Sequence, residues 1–120
     1  MISVRASFPR IAAIGAAIAG VAIATSAVAR DVRYCFALDP SETRFYASTP
    51  FETTAANDAV ERAFARELNV EGLAFRVISC PRNDDMAAAD AARQSAIDYN
   101  VRQGKTARSI DWIPAQLAGH

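Results

Sequence analysis

The chain has 120 residues, with 13 basic and 13 acidic side chains, one His, two Cys and 52% hydrophobic residues. A balanced charge removes the electrostatic attraction on which binding to nucleic acid or to an anionic membrane surface mainly depends. The length allows one small domain and little more.

Residues 1–29 read as a secretory leader. Arg5 and Arg10 are the only charges before Arg30, and Ile11–Ala29 is an uncharged run of 19 residues that includes nine Ala, two Gly, four Ile and two Val. Such a run is barely long enough to span a bilayer, and Ala and Gly add little insertion energy. Its most apolar part, Ile11–Ala24, suits the core of a signal peptide, and Ala27 and Ala29 are the small residues a signal peptidase requires. This favours a leader cleaved after Ala29 over an uncleaved anchor or a core helix. No Cys adjoins the cut to carry a lipid. The expected product, Arg30–His120, has 91 residues, and its 11 basic and 13 acidic residues give a net charge of −2. It would be periplasmic or secreted, monomeric, without stable membrane insertion after cleavage and without a nucleic-acid partner.

Within it, 30–114 is expected to form one α+β domain and 115–120 a flexible tail. Val32–Leu38 alternates apolar and polar residues as a half-buried strand does. Asp39–Glu42 is a Pro-containing turn, and Arg44–Ser48 completes a hairpin before Thr49-Pro50 breaks it. A first helix follows, capped by Thr53 or Thr54, with Val60, Phe64 and Leu68 on one face and Gly72 at its end. Leu73–Cys80 is the third strand, stopped by Pro81. The second helix starts with Asn83 as cap, runs to about Arg102 and ends at Gly104; Lys105–Ile113 is the fourth strand. The order β-β-α-β-α-β predicts a two-layer sandwich, a four-stranded sheet with both helices on one face. A split arrangement, with another strand between those flanking each helix, is preferred. Ala47–Val70 and Ile78–Val101 also share a faint pattern at an offset of 31, including Pro50/Pro81 and Arg62/Arg93.

Cys35 and Cys80 are an even pair in a chain read as exported, which predicts a disulfide. A loop of about 45 residues closed this way is worth about 4 kcal/mol in the chain-entropy model. A redox or metal role is less well supported: there is no C-x-x-C, and the only His is His120.

No catalytic, metal or cofactor motif emerges. Asp84 and Asp85 are accounted for by the start of a helix. On the second helix, Arg93 and Asn100 interrupt an apolar stripe containing Met86, Ala89 and Ile97, while Glu67 lies beside Phe64 and Leu68 on the first. Two readings follow: a Glu67–Arg93 ion pair at the rim of the core, or a ligand groove lined by Arg93 and Asn100. Tyr34, Tyr46, Tyr99 and Trp112 exceed what a thin core needs, and an uncovered sheet face would offer some of them to a sugar or peptide. Trp112 as plain core is the simpler alternative. The candidate ligand or rim residues are Arg93, Asn100, Tyr99, Trp112 and Glu67.

Cys80-Pro81, the Ala-rich helix with Ala89–Arg93, Gly104 and Asp111–Pro114 together resemble small exported proteobacterial proteins of unknown function. More loosely, Phe75-Arg76-Val77, an Ala-containing helix and a Gly before the last strand are similar to the second half of SPOR domains. That resemblance implies a β-α-β-β-α-β module that binds peptidoglycan glycan strands. The leading functional expectation is an exported, disulfide-stabilised, non-enzymatic binding module of the cell envelope, its partner a glycan or an envelope protein. The alternatives are a small inhibitor or chaperone of an exported enzyme, presenting the Asp39–Arg44 hairpin, and an enzyme whose carboxylates only the fold brings together.

Overall fold

The computed structural model describes residues 30–114. The leader, the cleavage after Ala29 and the tail at 115–120 lie outside the described residues. In chain order the elements are β1 (Asp31–Arg33), β2 (Phe36–Leu38), β3 (Arg44–Ser48), β4 (Phe51–Thr53), α1 (Asn57–Val70), β5 (Val77–Ser79), β6 (Arg82–Asn83), α2 (Met86–Arg102) and β7 (Thr106–Ile110). The class is α+β, with a four-stranded sheet in the order β5-β2-β3-β7 and a three-stranded sheet in the order β4-β1-β6.

The second sheet grows out of the first. Pro50 and Pro81 have no N–H to donate to a ladder, yet the chain resumes pairing beyond each of them instead of stopping. Phe36 faces Ser79 and Arg33 faces Arg82, so the register runs unbroken from the β2–β5 pair to the β1–β6 pair. On the other side Phe36 faces Ala47 but Arg33 faces Phe51, which inserts one extra residue between β3 and β4. This bulge changes the hydrogen bonding around Ser48. Its buried hydroxyl accepts from Cys35 N at 2.9 Å and donates to the Thr49 carbonyl at 3.0 Å. The Ser48 carbonyl is left to accept from Arg93 Nε on α2, at 2.8 Å.

Both helices end as their glycines predict. Gly72, at φ +74°, donates to Asn69 O and the following Leu73 N–H donates to Leu68 O. Gly104, at φ +90°, and Lys105 repeat the pattern on Val101 O and Asn100 O. These are Schellman ends, which a residue without Cβ enters without steric cost. The starts differ from expectation. Thr53 is buried at the end of β4 and its hydroxyl closes a turn onto Ala55 N, so α1 begins after Ala56 without a side-chain cap. Asn83 is drawn into β6, and Asp85 caps α2 by accepting from Ala88 N at 2.7 Å. The third strand is also shorter than Leu73–Cys80, because Leu73 and Phe75 pack beside the core as part of the connection from α1.

The front of the sheet carries Cys35, Ala37, Tyr46, Ile110 and Cys80, and Val60, Phe64 and Leu68 of α1 pack on it. The back carries the alternate residues: Val32, Tyr34, Phe45 and Ala47 are buried there, and Ala89 of α2 is buried on the same side. Arg93 of α2 reaches Ser109, the back-face neighbour of Ala47 on β7. The expected placement of both helices on one face is therefore corrected: α1 covers the front and α2 the back. The reason lies in the strand order. β3, β5 and β7 point the same way. The connection through α1 crosses the sheet toward the β5 edge, and the one through α2 returns to the β7 edge. Crossovers of one hand that travel in opposite directions place their helices on opposite faces. The split arrangement itself is present: one strand separates the strands flanking α1, and two separate those flanking α2.

Candidate functional site

Alternation along β7 and its extension decides which side chains meet α1. Thr106, Arg108, Ile110 and Trp112 fall on the front of the sheet, and Ser109 on the back. Ile110 is buried against the core, while Trp112 is half-buried, edge-on to Phe51 with ring centroids 5.8 Å apart and tilted on Phe64 at 5.3 Å. On α1, residues three and four apart share a face, which puts Ala63, Glu67, Val70 and Glu71 toward this strand. Two clefts open along this side of the sheet, and together they are referred to as the groove between α1 and β7.

The cleft at the Trp112 end measures about 250 Å³ and is lined by Ala63, Arg66, Glu67, Val70 and Trp112. Val70 is 82% exposed, an apolar side chain left open beside the indole. The cleft at the other end measures about 140 Å³ and is lined by Arg44, Tyr46, Leu73, Thr106 and Arg108. Arg108 donates to Glu71 Oε1 at 2.9 Å, and Glu71 lies one helical turn from Glu67. The Glu67 carboxyl is pushed above its ordinary pKa of 4.5, first by its hydrogen bond with the Glu71 carboxyl, then by burial and by the Glu71 charge. Arg108, Glu71 and Glu67 thus form a polar ladder joining the two clefts.

The five sequence candidates divide between the two sides. Trp112 and Glu67 come together on the front. Arg93, Asn100 and Tyr99 belong to α2 on the back. The Glu67–Arg93 ion pair is not formed, because the helices carrying these residues are separated by the sheet. Arg93 instead bonds the Ser48 carbonyl and, at 2.7 Å, Ser109 Oγ. It also lies near Tyr34, whose phenol burial pushes above its ordinary pKa while the Arg93 charge partly offsets this. Asn100 donates to Ala96 O within its own helix at 2.8 Å, and Tyr99 is 55% exposed. The groove of Arg93 and Asn100 is not assembled: one ties α2 to the sheet, the other bonds its own backbone.

Sequence reasoning missed Arg66, Val70, Arg44 and Thr106 as groove residues. The signal was present in part. The alternation Arg108-Ile110-Trp112 gives one face of β7, and Ala63-Glu67-Val70 gives one face of α1, but nothing local says that these faces meet.

Cys35 and Cys80 are bonded and completely enclosed. Beside them Arg33 is also buried, donating to Cys80 O at 2.7 Å, Asn57 Oδ1 at 2.9 Å and Asp31 Oδ2 at 3.0 Å. Among the described residues no group of three or more His, Cys, Asp or Glu is placed to hold a metal ion, and no helix is long and apolar enough to cross a membrane. No protein-family model, curated protein or solved structure matches the chain.

Proposed function

We propose that the chain is a small exported binding module of the cell envelope, non-enzymatic, that takes a cell-wall glycan along the groove between α1 and β7. The observation that carries the proposal is the setting of Trp112. An indole held by Phe51 and Phe64 stands in the wall of a cleft with Arg66 and Glu67 beside it. An aromatic ring offers apolar area to a sugar ring, and the flanking charged groups offer hydrogen bonds to its hydroxyls. Export is supported by the leader pattern of residues 1–29 and by the Cys35–Cys80 disulfide, a bond that persists mainly in oxidising compartments.

The test is co-sedimentation of the protein, purified after expression of the full chain with export, with isolated cell-wall sacculi. Retention is expected, reduced at least about fivefold by Arg66→Glu, an exposed position that the core does not use. Absence of retention rejects the glycan reading, and capture of an envelope protein by the same groove replaces it with a protein partner.

A second reading is favoured by the hairpin tip. Asp39 accepts from Thr43 N, Arg44 N and Ser41 Oγ at 2.8, 2.9 and 2.7 Å, which holds the exposed Pro40–Thr43 segment in one shape. A rigid exposed loop is what an inhibitor or chaperone of an exported enzyme would present. Deleting Pro40–Thr43 is then expected to abolish partner binding, and unchanged binding rejects this reading.

A further inference from the structure

We infer that the cleft formed by Arg44, Tyr46, Thr106, Arg108 and Leu73 is a carboxylate-binding site. Its assignment to a carboxylate carried by the glycan ligand rests on the reading above, while the site itself rests on three observations.

Tyr46 is 2% exposed, yet its hydroxyl has no hydrogen-bond partner among the described residues. A phenol O–H without a protein partner is free to bond a ligand in place of water. Arg33 Nε is the one enclosed side-chain polar atom without a partner among the described residues. The Tyr46 hydroxyl therefore keeps some contact with solvent, and the cleft that Tyr46 lines is where that contact lies.

Two guanidinium groups flank the phenol. On the paired strands Arg44 stands opposite Thr106 and Tyr46 opposite Arg108, so all four project from the same face. Arg44 makes no ion pair among the described residues, and Arg108 gives one edge to Glu71 and keeps its remaining donors. Glu71 meets one edge of Arg108, and the Asp39 carboxylate lies close enough to Arg44 to feel its charge, so what the mouth offers an anion is the unused N–H donors of the two guanidinium groups. Arg fork donors with a phenol O–H are the set that suits a planar oxyanion.

The size selects what enters. Whole-ligand pockets run from about 300 Å³ upward, and this one is about 140 Å³. It admits a carboxylate with a small apolar substituent against Leu73, and not a sugar ring. Arg108 lines this cleft and bonds Glu71, the helical neighbour of Glu67 in the Trp112 cleft, so the two clefts lie on the same side of the molecule.

The experiment titrates the purified protein, obtained from the full chain, with N-acetylalanine and, as control, N-acetylalaninamide, following the Arg44 and Arg108 side-chain N–H signals by NMR. Saturable shifts with the acid and none with the amide are expected. Tyr46→Phe, which keeps the ring in the core, should weaken binding about tenfold, and Arg44→Gln should abolish it. If Tyr46→Phe does not fold, the exposed Arg44 and Thr106 positions carry the test, with Thr106→Val expected to weaken binding about fivefold. Equal response to acid and amide, tighter binding of inorganic phosphate, or affinity unchanged in these variants overturns the site. Acid binding without retention on sacculi leaves the site standing and removes the glycan reading. Sacculus retention undiminished in Arg44→Gln, with no acid binding, does the reverse.

Discussion

Cys35 and Cys80 stand directly opposite each other on adjacent antiparallel strands, with Cα atoms 4.0 Å apart. The backbone of Cys35 turns its N–H and carbonyl toward Ser48. The two cysteines therefore occupy a non-hydrogen-bonded pair, the position where cross-strand side chains come closest. The disulfide fastens the ladder at the level where Pro81 interrupts it.

Removing this bond with Cys35→Ala and Cys80→Ala together should cost about 4 kcal/mol, the value for a closed loop of about 45 residues. Urea unfolding of oxidised and variant protein measures it. A difference below about 1 kcal/mol would show that the unfolded chain gains little freedom when the link is absent.

Arg33 fastens the same level by other means. Its guanidinium joins the Cys80 carbonyl, Asn57 at the start of α1 and Asp31. Arg33→Met leaves enclosed acceptors without a donor and should destabilise the protein by about 2–3 kcal/mol. A double-mutant cycle with the cysteine variant should show coupling, because both act on the strand around Cys80. Additive effects would refute a shared role.

Glu42 holds φ +59° in the hairpin tip, a conformation that favours Gly or Asn. Its carboxylate also pairs with Arg76, both groups about half exposed. Glu42→Gly should relieve about 1 kcal/mol of backbone cost and forfeit less than about 1 kcal/mol of surface ion pairing. The expected outcome is a melting temperature equal to or slightly above that of the parent. A clear loss would mean that the Arg76 pair dominates.

Two carboxyls tilt the pH profile in opposite senses. Burial raises the Asp39 pKa, but the hydrogen bonds from Ser41, Arg44 and Thr43, with the Arg44 charge, outweigh it and hold the value below 3.8. The stability it supplies is present above pH 3.8 and disappears as the pH falls through the lower folded value. Asp39→Asn should therefore flatten the acid limb of a melting-temperature profile. Glu67 is raised above 4.5, so its contribution is present below that pH and is lost as the pH rises through the raised value. Glu67→Gln should raise stability at pH 7 by about 0.2–0.5 kcal/mol, the scale of a like-charge pair one turn apart on a helix. Parallel profiles for parent and variants would contradict both assignments.

Ala89 is the only fully enclosed residue of α2, so the attachment of this helix depends heavily on Arg93. Arg93→Met should speed amide hydrogen exchange in α2 and leave α1 protected, because α1 has its own apolar face of Val60, Phe64 and Leu68. Equal acceleration in both helices would show that α2 opens only with the whole fold.

The features legible in the sequence are those set by neighbours along the chain. The alternation of Val32–Leu38, the spacing of Val60, Phe64 and Leu68, the turn at Asp39–Glu42 and the helix ends at Gly72 and Gly104 each depend on a few adjacent residues. The disulfide was legible because only two cysteines exist to pair. Pro50 and Pro81 have the local signature of strand ends, but pairing resumes beyond each of them. A missing N–H removes one rung, and the strands beyond are held by pairing with β1, which no local pattern contains.

The sequence by itself determined the alternating faces, the helical stripe, the glycine ends of both helices and the cysteine pair, since period, φ restriction and composition are local properties. Only the tertiary structure decided that α1 and α2 lie on opposite faces, that Glu67 shares a cleft with Trp112 and is not paired with Arg93, and that Arg44 and Arg108 flank Tyr46. Those outcomes follow from strand order and crossover direction, which join residues far apart in the chain. Periodicity shows which side chains share a face, and the order of the strands decides what that face meets.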